Sequence, residues 1–149
     1  MSKNEIDPRG PRFGAAITAV LLLIVVYLSL SPSTFSVAIS LLGIIVALFA
    51  IGAFLGNSKH PYGYIFKRLV RPLLQAPKEL EDSRPPQFAQ LVGLLVAGTG
   101  LVLGGFDIQL GLTIAAAAAF FAAFLNAVFN YCLGCQIWLV LARAGVIKA

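Results

Sequence analysis

Cys132 and Cys135 are the only cysteines in the chain, and they stand as C-x-x-C within "FNYCLGCQIW" at 129–138. Thiols at that spacing serve one of three purposes. As a dithiol they open and close a disulfide by exchange, with Cys132 the attacking thiolate and Cys135 the resolving one. As thiolates they bind metal, but structural zinc wants four ligands, and His60, the one histidine, is the only residue that could join them. As small buried side chains they only fill space. The redox reading ranks first, packing second and metal last. The catalytic candidates are therefore Cys132 and Cys135, with no metal ligand and no cofactor-binding residue assigned. His60, followed by Pro61, reads as a loop residue with no special role.

What must position these sulfurs is a membrane domain. Of 149 residues, 59% are hydrophobic and 11% charged, against about 45–50% and about 25% in average soluble domains. A globule of this size cannot hide such an excess, because much of its surface stays exposed. A bilayer accepts it. The net charge is +5, but the cations lie between apolar runs and read as topology signals. Nucleic-acid binding would need a basic patch on a folded surface.

Four spans are predicted, at about 13–30, 37–55, 88–106 and 110–130, each close to the roughly 20 residues that cross the hydrocarbon core as a helix. "DPRGPR" precedes the first as a polar, weakly ordered tail. The first run is too long for the apolar part of a cleaved signal segment, and Glu5 and Asp7 precede it, so it is read as a span. "SPSTFS" breaks the first run from the second, and "GGFDIQ" turns the third into the fourth. Between the second and third spans, "YGYIFKRLVRPLLQ" sets Ile65, Phe66, Leu69, Leu73 and Leu74 against Lys67, Arg68 and Arg71. This predicts an amphipathic helix at 62–75 lying in the lipid interface, ended or kinked by Pro72. Pro77 is placed to start a short turn carrying Glu79, Glu81 and Asp82. Gly52 with Gly56, Gly100 with Gly104, and Ala115, Ala119 and Ala123 offer small-residue seams for close helix packing. Such seams also leave room for a homo-oligomer.

Cations mark cytoplasmic loops. Lys3, Arg9 and Arg12 lie in the tail, Lys59, Lys67, Arg68, Arg71, Lys78 and Arg84 in the middle loop, and Arg143 and Lys148 at the carboxyl end. The loops around Pro32 and Asp107 hold none. The expectation is a multi-pass protein of the cell inner (plasma) membrane with both termini cytoplasmic.

The fourth apolar run continues to about Gly145. One straight helix from Leu110 to Arg143 would be about 50 Å long at 1.5 Å per residue, so it either protrudes or breaks near Asn130 and Gly134. We favour the break, with a carboxyl-terminal interfacial helix at about 132–145 anchored by Trp138 and Arg143. Asn130 would cap that helix and set Cys132 in its first turn, where free amides favour a thiolate. In an unbroken helix the two cysteines would still share a face, but no helix start would activate Cys132. Asn126 and Asn130 read as amides bonding across to another helix.

"DPRGPRF", "RPLLQAPKELEDSRPPQFAQ" and "NAVFNYCLGCQIW" together resemble the bacterial, largely actinobacterial membrane proteins grouped as domain of unknown function 4395. The likeness covers nearly the whole chain. It implies a small multi-span protein with a thiol pair at Cys132 and Cys135, and it adds Arg71, Pro72, Arg84, Pro85 and Pro86 as loop elements of interest. It also implies a thioredoxin-like or sulfurtransferase partner. Three functions are then open. The first is a dithiol/disulfide or sulfur-handling partner at the cytoplasmic boundary. The second is a transporter of a small solute or sulfur species, for which the spans offer only Thr18, Thr99, Thr113 and Asn126 as inward polar groups. The third is an accessory subunit of a membrane assembly. No nucleophile with a matched base and no phosphate loop marks an enzyme.

Overall fold

The first helix begins inside the polar tail. In the computed structural model, which describes residues 5–56, 59–76 and 78–147, α1 spans Arg9–Ser29. Its start is built by Asp7, whose Oδ1 accepts the Arg9 amide at 3.0 Å while Oδ2 accepts Arg9 Nη2 at 2.7 Å. A carboxylate at the positive end of a helix is stabilised there. Pro11 in the first turn costs nothing, because the amide it lacks would have no partner. Just before it, β1 (Glu5–Ile6) pairs antiparallel with β2 (Glu81–Asp82), Glu5 opposite Asp82 and Ile6 opposite Glu81. The tail is thus ordered from Glu5 onward, which corrects the sequence expectation. Glu81 and Asp82 form a strand rather than a helical turn, since pairing satisfies backbone groups that an isolated turn would leave to water. Pro77 lies outside the described residues, as do Lys3 and Lys148.

A 3₁₀ turn at Pro32–Thr34 leads into α2 (Phe35–Leu55). Pro61–Ile65 forms α3, followed by a widened π-helical turn at Phe66–Val70 and a 3₁₀ turn at Arg71–Leu73, where Pro72 stops it. The amphipathic segment exists but does not present one apolar face. Phe66 is buried against Gly10 and Phe13 of α1, while Leu69 and Leu73 point outward. The wider turn breaks the 3.6-residue register on which a single stripe depends.

Then come α4 (Arg84–Gly105), α5 (Gln109–Phe129) and α6 (Leu133–Arg143). Helices α1, α2, α4 and α5 are long and apolar enough to cross a membrane, and the break before α6 is real. α1 packs mainly on α5 and α2 on α4, closing a four-helix bundle whose core includes Leu22, Val25, Leu42, Ile45 and Leu112. Leu23, Ile44, Leu95 and Ile114 face outward, as lipid contact requires. The small-residue seam is used: Gly100 lies against Ala115 and Gly104 against Leu112. Gly56 instead ends α2 with φ 85°, a conformation that costs a side chain with Cβ energy. At the far end the Ser29 and Thr113 hydroxyls meet at 2.8 Å.

Candidate functional site

The cysteines sit where α5 gives way to α6. α5 closes on Asn130, which adopts the left-handed conformation (φ 55°, ψ 31°). The Tyr131 amide then turns back to the Leu125 carbonyl at 3.1 Å. Asn130 therefore terminates one helix and does not cap the next, because a left-handed residue satisfies the carbonyls behind it. The cap of α6 is Cys132 itself, extended at φ −89° and ψ 105°. Its Sγ accepts the Cys135 amide at 3.1 Å. The two sulfurs are joined as a disulfide, Cα to Cα 5.2 Å, and both residues are half-buried.

α6 is pressed onto α4. A Cβ at Gly134 would lie 2.5 Å from Ala89 Cα, so the backbones touch. Trp138 is buried beneath Arg84, whose guanidinium lies 5.6 Å from the ring centroid. Trp138 thus anchors α6 to α4 by packing and cation–π attraction; the sequence had placed it in the lipid interface.

Beside the disulfide, α1, α4, α5 and α6 enclose a cavity of about 580 Å³. Cys132 and Cys135 line it, with Arg12 from α1, Gln90 from α4 and Asn126 from α5. Asn126, read as an interhelical amide, opens on this space. Arg12 Nη2 donates to the Ala127 carbonyl on α5 at 3.1 Å, and its Nε is buried with no acceptor. Sequence reasoning took Arg12 for a topology cation because it placed the first span after it. Gln90 was missed altogether.

His60 also departs from expectation. It is 3% exposed, its Nδ1 accepts the Tyr62 amide at 3.1 Å, and its Nε2 bonds the Leu48 carbonyl at 2.9 Å. It caps α3 as Cys132 caps α6. Burial away from water lowers its pKa from the ordinary 6.5. Arg71 and His60 line a second hollow of about 210 Å³, so the structure does not bring Arg71 to the cysteines. Pro85 and Pro86 do line the cysteine cavity, whereas Arg84 lies over Trp138. Pro72 serves only as a helix stop.

The signal that would have exposed Arg12 is an internal repeat. Asp7, Arg9, Pro11 and Phe13 recur as Asp82, Arg84, Pro86 and Phe88. Asp82 accepts the Arg84 amide at 2.9 Å as Asp7 does that of Arg9. Gln87 occupies the place of Arg12 and makes the matching bond, Nε2 to the Ala53 carbonyl on α2 at 2.9 Å. In each case the neighbouring helix ends three residues on in a positive-φ residue, Gly56 or Asn130.

No curated protein and no solved structure matches the chain. The sequence profile described as Domain of unknown function (DUF4395) matches residues 6–143, which takes in both copies of the repeat, the four apolar helices and the cysteine pair. The chain belongs to the DUF4395 family.

Proposed function

We propose that this chain is a membrane-bound dithiol/disulfide exchange partner working at the cytoplasmic face of the plasma membrane. The observation that carries the reading is the start of α6. There Cys132 Sγ is held against the Cys135 amide at 3.1 Å, half-exposed and beside a cavity. An amide aimed at sulfur at a helix start favours the thiolate, the form that attacks disulfides. The reduced pair would react in two steps. Cys132 thiolate attacks one sulfur of a partner disulfide, forming a mixed disulfide and releasing the partner's other sulfur as thiolate. Cys135 thiolate then attacks Cys132 Sγ, closing the intrachain disulfide and releasing the partner fully reduced. Two electrons pass from this chain to the partner. The reverse sequence oxidises a dithiol partner.

The orientation follows from charge. Every described cation lies at the end of the bundle where α1 and α4 start and α2 and α5 finish, or in α3, α6 and the segments around them. Cytoplasmic loops retain such residues, so both termini and both sulfurs would face the cytosol. A soluble thioredoxin-like or sulfurtransferase protein suits that side. Its docking surface would be the segment from Pro61 to Leu74, where Leu69, Leu73 and Leu74 are exposed beside Lys67 and Arg68.

The test is trapping in intact cells. Cys135→Ser should accumulate mixed disulfides on Cys132, and Cys132→Ser should accumulate far fewer. Membrane-impermeant thiol reagents should label the reduced pair only in inverted vesicles. Absence of trapped species in both variants, or labelling from outside alone, would end the reading.

A further inference from the structure

The two copies of the repeat set Arg12 and Gln87 to the same structural task, each bonding a last-turn carbonyl of the neighbouring helix. A neutral amide suffices for it in one copy. The positive charge in the other copy is therefore surplus to holding the helices together. It is also costly, because a guanidinium in a membrane-embedded helix loses hydration and normally faces a partner or a polar cavity. Two acids at this end of the bundle already have arginine partners. Asp7 takes Arg9, and Asp82 takes Arg84, in each case through side-chain and backbone hydrogen bonds. Glu81, exposed, and Asp82, paired with Arg84, also line the cavity. Among the described residues Arg12 has no ion-pair partner, and its Nε has no acceptor.

The charge and the disulfide line the same cavity. Arg12 bonds Ala127, about one helical turn or ~5 Å along the axis from Asn130, which immediately precedes the cysteine loop. A second substitution between the copies points the same way. Asn126, just before Ala127, stands where the other copy has Gly52, just before Ala53. The other copy's glycine is closed over by the Gln90 side chain, at 2.7 Å from where its Cβ would be. Asn126 opens on the cavity. Ala15, Ala89, Ala122 and Ala123 contribute small side chains to the walls, beside larger ones such as Phe49 and Leu133.

We propose that this cavity binds a small anionic thiol and its disulfide, with Arg12 holding the negative group and Asn126 beside it, so that the ligand's sulfur reaches the Cys132–Cys135 pair. The proposal rests on the exchange reading above and names the substrate class of that site. The ligand thiolate attacks Cys132 Sγ, forming a mixed disulfide and releasing Cys135 as thiolate, which takes a proton from solvent. A second ligand thiolate attacks the ligand sulfur of the mixed disulfide. It leaves as the ligand's own disulfide, and Cys132 departs as a thiolate facing the Cys135 amide. Two ligand thiols are oxidised and one protein disulfide is reduced.

The test uses the full chain, oxidised, in phosphatidylcholine nanodiscs. Its disulfide is reduced with 2-mercaptoethanesulfonate and, separately, with cysteamine, which carry opposite charges. Each rate is divided by the rate on a small uncharged reference disulfide. The corrected anionic-to-cationic ratio should be at least about tenfold, the scale of one charge-assisted bond. Arg12→Gln should bring that ratio close to one, and Arg12→Lys should keep part of it. Ethanesulfonate, which has no thiol, should slow the anionic reaction saturably in the unaltered protein, a readout that holds even if Arg12→Gln does not fold. A ratio near one in the unaltered protein, a ratio unchanged by Arg12→Gln, or no competition by ethanesulfonate would each overturn the proposal. So would a preference that disappears saturably as phosphatidylglycerol is added, which would assign Arg12 to a lipid phosphate. A disulfide inert to both thiols would instead sink the exchange reading itself, whereas exchange without charge preference sinks only this inference.

Discussion

The first half of the chain, from Asp7 to Leu73, and the second, from Asp82 to Arg143, use the same devices in the same order. Each opens with an Asp–Arg cap on a long helix, returns through a second helix ended by a positive-φ residue, and lays a short helix on the first. They part at the start of the short helix. In the first half His60 caps α3, and the Tyr62 ring fills the gap to Gly14, 3.0 Å from where a Cβ would be. In the second half Cys132 caps α6, and Gly134 lets the backbone settle directly on Ala89. One half closes the junction with aromatic volume and a buried imidazole. The other closes it with bare backbone and puts sulfur beside a cavity. Either solution satisfies the fold, and only the second places sulfur at the junction.

The largest contrast should come from adding a methyl group at each junction. Gly134→Ala drives Cβ into the Ala89 backbone, which cannot turn aside, and should cost about 1–3 kcal/mol as an overpacked contact. Gly14→Ala meets only the edge of a ring that can tilt, and the gain in helix propensity of about 1 kcal/mol should bring the net change near zero. Thermal unfolding in detergent, followed by circular dichroism, measures both. Equal losses would break the contrast.

Next in size is the cap. His60→Ala removes the acceptor for the Tyr62 amide and the bond to the Leu48 carbonyl, and should lower stability by about 2 kcal/mol. The same residue gives the first-half cap a pH dependence that the disulfide-bonded Cys132 cap lacks. Its pKa is lowered by burial, so its contribution is complete above the unfolded value near 6.5 and is lost as pH falls through the lower folded value. The melting temperature of the oxidised protein should fall from about pH 7 to about pH 5, and His60→Gln should flatten that slope. A slope that survives the substitution would place the titration elsewhere.

The smallest effect separates the two Asp–Arg caps. The Asp7 side chain is 6% exposed and that of Asp82 34%. Asp7→Asn should therefore cost about 1 kcal/mol, the net worth of a buried charge-assisted bond. Asp82→Asn should cost less than about 0.5 kcal/mol, because water screens an open pair. Equal costs in the same unfolding measurement would mean that burial does not distinguish the caps.

Much of this was legible beforehand, for identifiable reasons. The four apolar helices follow from run length alone, and the break after Asn130 from a run too long for one span. The order of the tail was hidden because two-residue strands carry no periodicity; only pairing across the chain creates them. Phe66 and Leu69 were given one face because a π-helical turn cannot be seen in residue spacing. His60 looked idle because its partners, Leu48 and Tyr62, are meaningful only once α2 and α3 meet. The bond from Arg12 to α5 went unseen for want of comparing "DPRGPRF" with "DSRPPQF", a signal that lies in the letters themselves.

The sequence by itself determined that the chain lies in a membrane, how many times it crosses and where its helices break, because apolar length and turn residues act locally. Tertiary structure alone decided that Cys132 caps α6, that Trp138 lies under Arg84, and that Arg12 and the disulfide line one cavity. Those facts depend on which helix packs on which, and the packing is set by small residues meeting across distances that no local pattern records.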